Sequence, residues 1–259
     1  MFTYLEHNNL PTVDVAHGAS RPLEAVRDAL CDLILKYGLQ DIFGVRLIHK
    51  HFDMHPGEVP VFRPVEVHGV CTAILMGPLS IDRQASFSGA HYAISSTGQL
   101  AAYEYTSEVS VGAPENHPEF VKAFETTLMA GGASRVFGLG VKPAWSKEVY
   151  TEFELGEYRS TIMVPKAIAP VDTDDIEIHT NWFSHANGEP APHDYCAVEL
   201  CQLHRQTSCV STQSGSHRSA GINPDGPAQE VEDNAFRRAL ADSSTDLSKV
   251  VTQVISIFL

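Results

Sequence analysis

Histidines at positions 49, 51, 55 and 68, among thirteen in the chain, are the residues best placed to do chemistry. His49 and His51 stand two apart in a stretch, Phe43 to Phe52, whose alternation predicts a strand, so both project from one face. Phe43, Val45 and Leu47 share that face, while Gly44, Arg46, Ile48, Lys50 and Phe52 take the other. Two imidazoles at the end of an apolar strip need partners. Protonated together they repel, and buried alone each nitrogen needs a hydrogen bond. A divalent metal answers both needs. His55 and Glu58 follow in and after a turn at 53–57, and His68 lies on the next strand segment, facing the same way as Glu66, Val70 and Thr72. Two histidines and a carboxylate with open positions suit non-haem Fe(II), and three histidines with water suit Zn or Cu. The competing reading has these histidines hydrogen-bonded within a sheet or solvated at its rim.

A second cluster, Cys196, Cys201, His204 and Cys209, places four soft ligands within fourteen residues. Such a set can hold a structural Zn, whose binding would order an apolar-poor loop. Its four-residue gap between the first two cysteines differs from the two of a zinc knuckle, and free thiols on an irregular strand are the alternative. Among carboxylates, Glu104 shares a predicted strand face with Leu100, Ala102 and Thr106. On an inward face such a carboxylate has a raised pKa and can serve as a general base, and the alternative places Glu104 at a sheet edge. Glu58 and Glu104 are therefore the expected catalytic carboxylates. Glu148, Glu152 and Glu154 share another strand face with Tyr150, read as solvated, with Arg159 available to pair with one of them.

The elements that must position these groups follow from periodicity. Ser20 to Gly38 predicts a helix, with Ser20 capping, Pro22 in the first turn and an apolar stripe of Leu23, Val26, Leu30, Leu33 and Ile34. The period then changes to two. Strands are expected at 43–52, 58–62 and 65–76, the last two broken at Pro64. A hairpin is expected from His91–Ser95 through Ser-Thr-Gly to Leu100–Ser107. A second helix opens at Asn116 and runs to Gly131. Strands return at 135–141, 149–153, 158–164 and 176–183. A Gly/Pro/Ser-rich loop or insertion spans 187–227, and helices are expected at 228–242 and 247–258. The fold class is α+β in a single domain, 1–259. Its mainly antiparallel sheet, a sandwich or barrel, has an N-terminal, a middle and C-terminal helices packed on it.

Composition limits the function. The chain of 259 residues is 43% hydrophobic, enough for a sizeable core, and its net charge is −14. That balance opposes sequence-independent nucleic-acid binding and attraction to an anionic membrane surface. No apolar run reaches transmembrane length. The first residues lack a basic and apolar leader, there is no Asn-x-Ser/Thr site, and the five cysteines are an odd number in a large chain. These features predict a cytoplasmic protein with reduced thiols. Phosphate-cradling glycine loops, a Gly-x-Ser-x-Gly elbow and a His-Glu-x-x-His helix are all absent, and Gly138-Leu139-Gly140 is too short to stand for the first.

The stretch from Gly44 to Gly69, with His49-Lys50-His51 and Glu58, resembles the first metal motif of the cupin family, although its gap from His51 to Glu58 is longer. The resemblance implies a metal on those residues and a later histidine, His91 or His179, as the second motif. The stretch Lys36-Tyr-Gly-Leu-Gln-Asp to His49-Lys-His-Phe-Asp is also similar to a set of filamentous-fungal proteins of uncharacterised function, which implies a cytosolic fungal protein. The expected function is a metal-dependent enzyme acting on a small organic molecule, as a non-haem iron oxidoreductase or a zinc lyase or hydrolase. The alternative is a non-catalytic protein that binds a small molecule or a metal.

Overall fold

In the computed structural model the described residues are 2–67, 70–81, 87–108, 112–142, 150–155, 158–165, 167, 178–183 and 197–199. His68, Cys196, Cys201, His204 and Cys209, most of the 187–227 segment and both expected C-terminal helices lie outside them. Helices α1 (Tyr4–Asn8), α2 (Val13–Ser20) and α3 (Glu24–Lys36) lead into β1 (Phe43–Leu47). Strands β2 (Glu58–Val67), β3 (Cys71–Ser80), β4 (Ser88–Ile94) and β5 (Leu100–Thr106) precede α4 (Pro118–Ala130). Strands β6 (Phe137–Val141), β7 (Tyr150–Leu155), β8 (Ser160–Pro165), β9 (Asn181–Trp182) and β10 (Ala197–Glu199) follow it.

The sheet order is β10-β7-β8-β3-β2-β5-β4-β6-β1-β9, and its eight longer strands curl into a half-barrel. The sheet is mixed, not mainly antiparallel as the alternation pattern suggests. β5 runs parallel to β2 through Val61↔Tyr105 and Phe62↔Thr106, and β10 runs parallel to β7. Periodicity marks which residues are strands but carries nothing about the direction of their neighbours.

Two expected boundaries shift for physical reasons. The helix expected over 20–38 begins only at Glu24, because Pro22 has no N–H to donate and sits in a single 3-10 turn, Arg21–Leu23, and a separate helix, α2, precedes that turn. Ser20 ends α2 rather than capping α3, its hydroxyl donating to the His17 carbonyl at 2.8 Å. Conversely, β2 runs unbroken through Pro64. Pro60 faces Pro78 on β3, a pair in which neither residue can donate, so Pro64 four residues on also points its missing donor away from β3. On that other side the β5 ladder has already ended, and no hydrogen bond is lost.

The main core fills the space between α3, α4 and the β4-β6-β1 part of the sheet. Phe43, Val45, Leu47, Phe137, Leu139 and Tyr92 meet Leu30, Ile34, Phe120, Phe124 and Leu128 there. The other face of the same strands points into the half-barrel. On β6 that face carries only Gly138 and Gly140. A Cβ on Gly140 would stand 3.3–3.7 Å from Asn181 Oδ1, His91 Cδ2 and Arg46 Cβ, and one on Gly138 would meet the Tyr92 carbonyl oxygen. The two glycines thus leave room for large polar side chains on β1 and β4. Among the described residues no helix is long and apolar enough to cross a membrane.

Candidate functional site

Buried polar residues collect inside the half-barrel around one carboxylate, Glu104 on β5. Its position depends on an irregularity in the β4–β5 hairpin. Gly89 pairs with Tyr105 and Tyr92 with Ala102, but between them His91 pairs with Glu104, one residue out of step with both. Register shifts of this kind re-aim side chains. Here the shift sets Glu104 against His91, whose Nδ1 lies 2.5 Å from Glu104 Oε2. Arg46 reaches the same carboxylate from β1, with Nη2 3.7 Å from Oε2, while its Nη1 donates to Thr180 Oγ1 at 2.9 Å. Arg46 and Glu104 are both buried.

The chain after β1 brings the histidine pair to this cluster. The strand stops at Leu47, so the alternation that would keep His49 and His51 with Phe43, Val45 and Leu47 stops there too. The pair turns instead to the Arg46 face. The two rings lie 4.6 Å apart at 65°. His49 Nδ1 lies 2.9 Å from the Leu47 carbonyl oxygen, to which it must donate, and this leaves the Nε2 lone pair buried without a partner. His51 sits between two carboxylates, with Nε2 3.7 Å from Glu104 Oε1 and Nδ1 3.3 Å from Glu152 Oε1. Neither approach forms a hydrogen bond, and Glu104 Oε1 and Glu152 Oε1 are likewise without partners. Since β5 and β7 are separated by three strands in the sheet order, one imidazole near carboxylates on both requires the sheet to curl around it. Glu152 is buried, not on a solvated face as its spacing suggests.

The electrostatics follow from burial and from Arg46. Burial pushes the Glu104 carboxyl up, but the His91 hydrogen bond and the Arg46 charge outweigh it and hold the group well below the usual carboxylate range. Burial, then the Arg46 charge, lowers His91 to about 4, so the ring is neutral near pH 7. Burial and Arg46 also lower His49 well below its usual value, and burial lowers His7, which reaches the cluster from α1. The Tyr103 hydroxyl is pushed up by burial. Glu104 and Glu152 both act on Arg46 and help to hold its guanidinium charged despite its burial.

The other expected ligands are placed elsewhere. His55 is exposed, with 68% of its side chain accessible, and Glu58 stands beside it at the rim. Arg159 takes Glu58, through Nη2 to Oε2 at 2.5 Å. This pairing holds the Glu58 carboxyl below its usual range. Of the cupin-like set, His49 and His51 thus join Glu104, Glu152 and His91, while Glu58 does not accompany them. Among the described residues no three His, Cys, Asp or Glu side chains close on one point as a metal shell would. Arg46 and Glu152 are the members that the spacing of histidines does not reveal. The Gly-x-Gly of β6 is the sequence signal that could have found Arg46, since small residues alternating along a strand mark a crowded face.

The fold and site define a curled β half-barrel with a buried His–Glu–Arg centre. The chain matches no family model, no curated protein and no solved structure.

Proposed function

We propose that the protein is an enzyme acting on a small organic molecule by proton transfer, with His91 as the base and Glu104 as the group that orients it. The observation that carries this reading is the short His91–Glu104 hydrogen bond at the register shift. With Nδ1–H donated to Glu104, the basic lone pair of the neutral ring is on Nε2. His91 is also the least buried member of its triad with Arg46 and Glu104, its side chain 10% exposed. A proton taken at Nε2 leaves an imidazolium whose Nδ1–H already faces the Glu104 carboxylate, which offsets part of the opposition from burial and Arg46. Arg46 keeps that carboxylate ionised. The reading takes the protein as cytoplasmic, which the free Cys31 supports.

Washing of solvent deuterium into a panel of small enolisable carbonyl compounds, followed by NMR, tests for the base without knowledge of the product. Turnover of a panel member is expected to fall by about 10²–10⁴-fold in His91→Ala. No exchange by the wild type, or equal exchange by the variant, would overturn the reading.

A second reading, metal dependence, has its own support. His49 carries a tautomer fixed by a backbone carbonyl and an unpaired Nε2, the arrangement typical of a metal-ligating imidazole. With His51, Glu104 and Glu152 it offers nitrogen and oxygen donors that suit Fe, Zn or Cu, and the bound ion would polarise a substrate oxygen. Elemental analysis of the purified protein is expected to give about one equivalent, lost in His49→Ala. Absence of metal, or metal unaffected by the variant, would exclude this reading and leave the proton-transfer reading standing.

A further inference from the structure

The cluster is sealed by two pieces of chain that belong to no sheet. One is the strap 48–57 between β1 and β2, which carries His49, His51 and Phe52 inward. Phe52 packs there against the apolar group of Phe62, Ile74, Met76, Ala90, Tyr150 and Met163. The other is the N-terminal arm 2–10, whose Phe2 and Leu10 pack with Ile48, Ala93 and Tyr103 and whose His7 faces the cluster. The two are stitched together. The Asn8 side chain satisfies both backbone groups of Met54, donating to its carbonyl at 2.9 Å and accepting from its N–H at 2.7 Å. Lys50 Nζ donates to the Asn8 carbonyl at 2.7 Å. At the far end of the strap, Arg159 donates to the Asp53 carbonyl through Nη2 at 2.7 Å and Nε at 3.2 Å, and also holds Glu58.

We infer that the strap is a cover that opens to admit substrate, latched by Asn8 to the arm and by Arg159 to the body, while the arm stays on the β4–β5 hairpin, where the Phe2 N–H donates to the Ala102 carbonyl at 3.1 Å and Glu6 accepts from the Ser96 N–H at 2.9 Å. Three features support this. Both latches act through polar side chains that bond outside the strand ladders, Arg159 from the position just before β8, so their release breaks no strand pairing. On the inner side, His51 makes no hydrogen bond that opening would have to break, since both its ring nitrogens lack partners. Arg159 holds its grip from a strained backbone, φ +48°, the one non-glycine residue in the left-handed region among the described residues. Strain of this kind persists where surrounding contacts impose it and is common in switching elements. Gly57, at φ +81°, ends the strap and supplies a pivot.

The inference rests on the Glu104 cluster being the working site, but its test reads histidine access alone and so stands apart from the turnover test on His91. The probe is diethyl pyrocarbonate, which acylates neutral imidazoles, with His49 and His51 followed by peptide mass spectrometry in the full chain. Asn8→Ala and Arg159→Gly are each expected to raise their rates about tenfold, and the double variant about a hundredfold, as losses at independent sites multiply. Glycine at 159 accepts the left-handed backbone, so this variant retains its fold. Leu128→Ala, a core change remote from the cover, controls for general loosening and should leave both rates near wild type. Unchanged rates in the double variant would overturn the inference. So would an equal rise in Leu128→Ala.

Discussion

Glu104→Ala is expected to destabilise the protein by about 3–5 kcal/mol, because removing one member of a buried ion pair leaves the other charged and unsolvated. Arg46 is that other member. It is fully enclosed, its hydrogen bond to Thr180 carries no compensating charge, and the remaining attraction of Glu152 is weaker than that of the lost carboxylate. His91 also loses the acceptor for its Nδ1–H. Chemical denaturation of the variant beside wild type measures the effect. Glu104→Gln separates the two losses, since it keeps an acceptor for His91 and removes only the charge. A loss below about 1 kcal/mol, the size seen for exposed pairs, would mean that water reaches Arg46 and that the cluster is not sealed.

Acidification is expected to remove much of the stability well before carboxylates in general titrate. His7, His49 and His91 all bind protons less readily folded than unfolded. Below the unfolded value of about 6.5 the unfolded chain therefore takes up more protons, and stability falls as pH falls through that window. His91, lowered from 6.5 to about 4, alone accounts for about 2 kcal/mol between pH 7.5 and pH 5. Glu104 acts in the same direction further down, because its depressed pKa makes its contribution disappear only below the ordinary carboxylate range. Urea midpoints at the two pH values decide the matter. A midpoint that holds steady or rises at pH 5 would show that these rings are solvated in the folded protein. In His91→Gln, the dependence should shrink by the share assigned to His91.

How far the sequence speaks can be seen residue by residue. Helix α4 and the β4–β5 hairpin follow from local signals, a proline at the first helical position and a Ser-Thr-Gly turn with Gly98 at φ +79°. The burial of Glu104 is legible from its apolar neighbours, but not its face, because Leu100 and Ala102 pack on the α3–α4 core and the register shift turns Glu104 to the other side. Its pairing with His91 is not, because that depends on a register shift between two strands. The inward histidines were legible as a pair, but not the face they join, since alternation has no force beyond the end of β1 at Leu47. Glu152 shares the spacing of a solvated face and is buried only because the sheet curls. Curvature arises from many strands together, and no short window of residues encodes it.

The order of the strands has a consequence for how the charged centre comes into being. β1, which carries Arg46, finds its place by pairing with β6, about 90 residues further along the chain, and with the still more distant β9. Glu104 lies on β5, and β5 reaches β2 by a parallel pairing that no tight turn can make. Local pieces such as the β2–β3 and β4–β5 hairpins close over short loops and need none of this. Arg46 and Glu104 are thus brought together by pairings that close long loops, which slow formation more than the local hairpins do. The group that would be most costly to bury alone is assembled among the last, when its partner arrives with it.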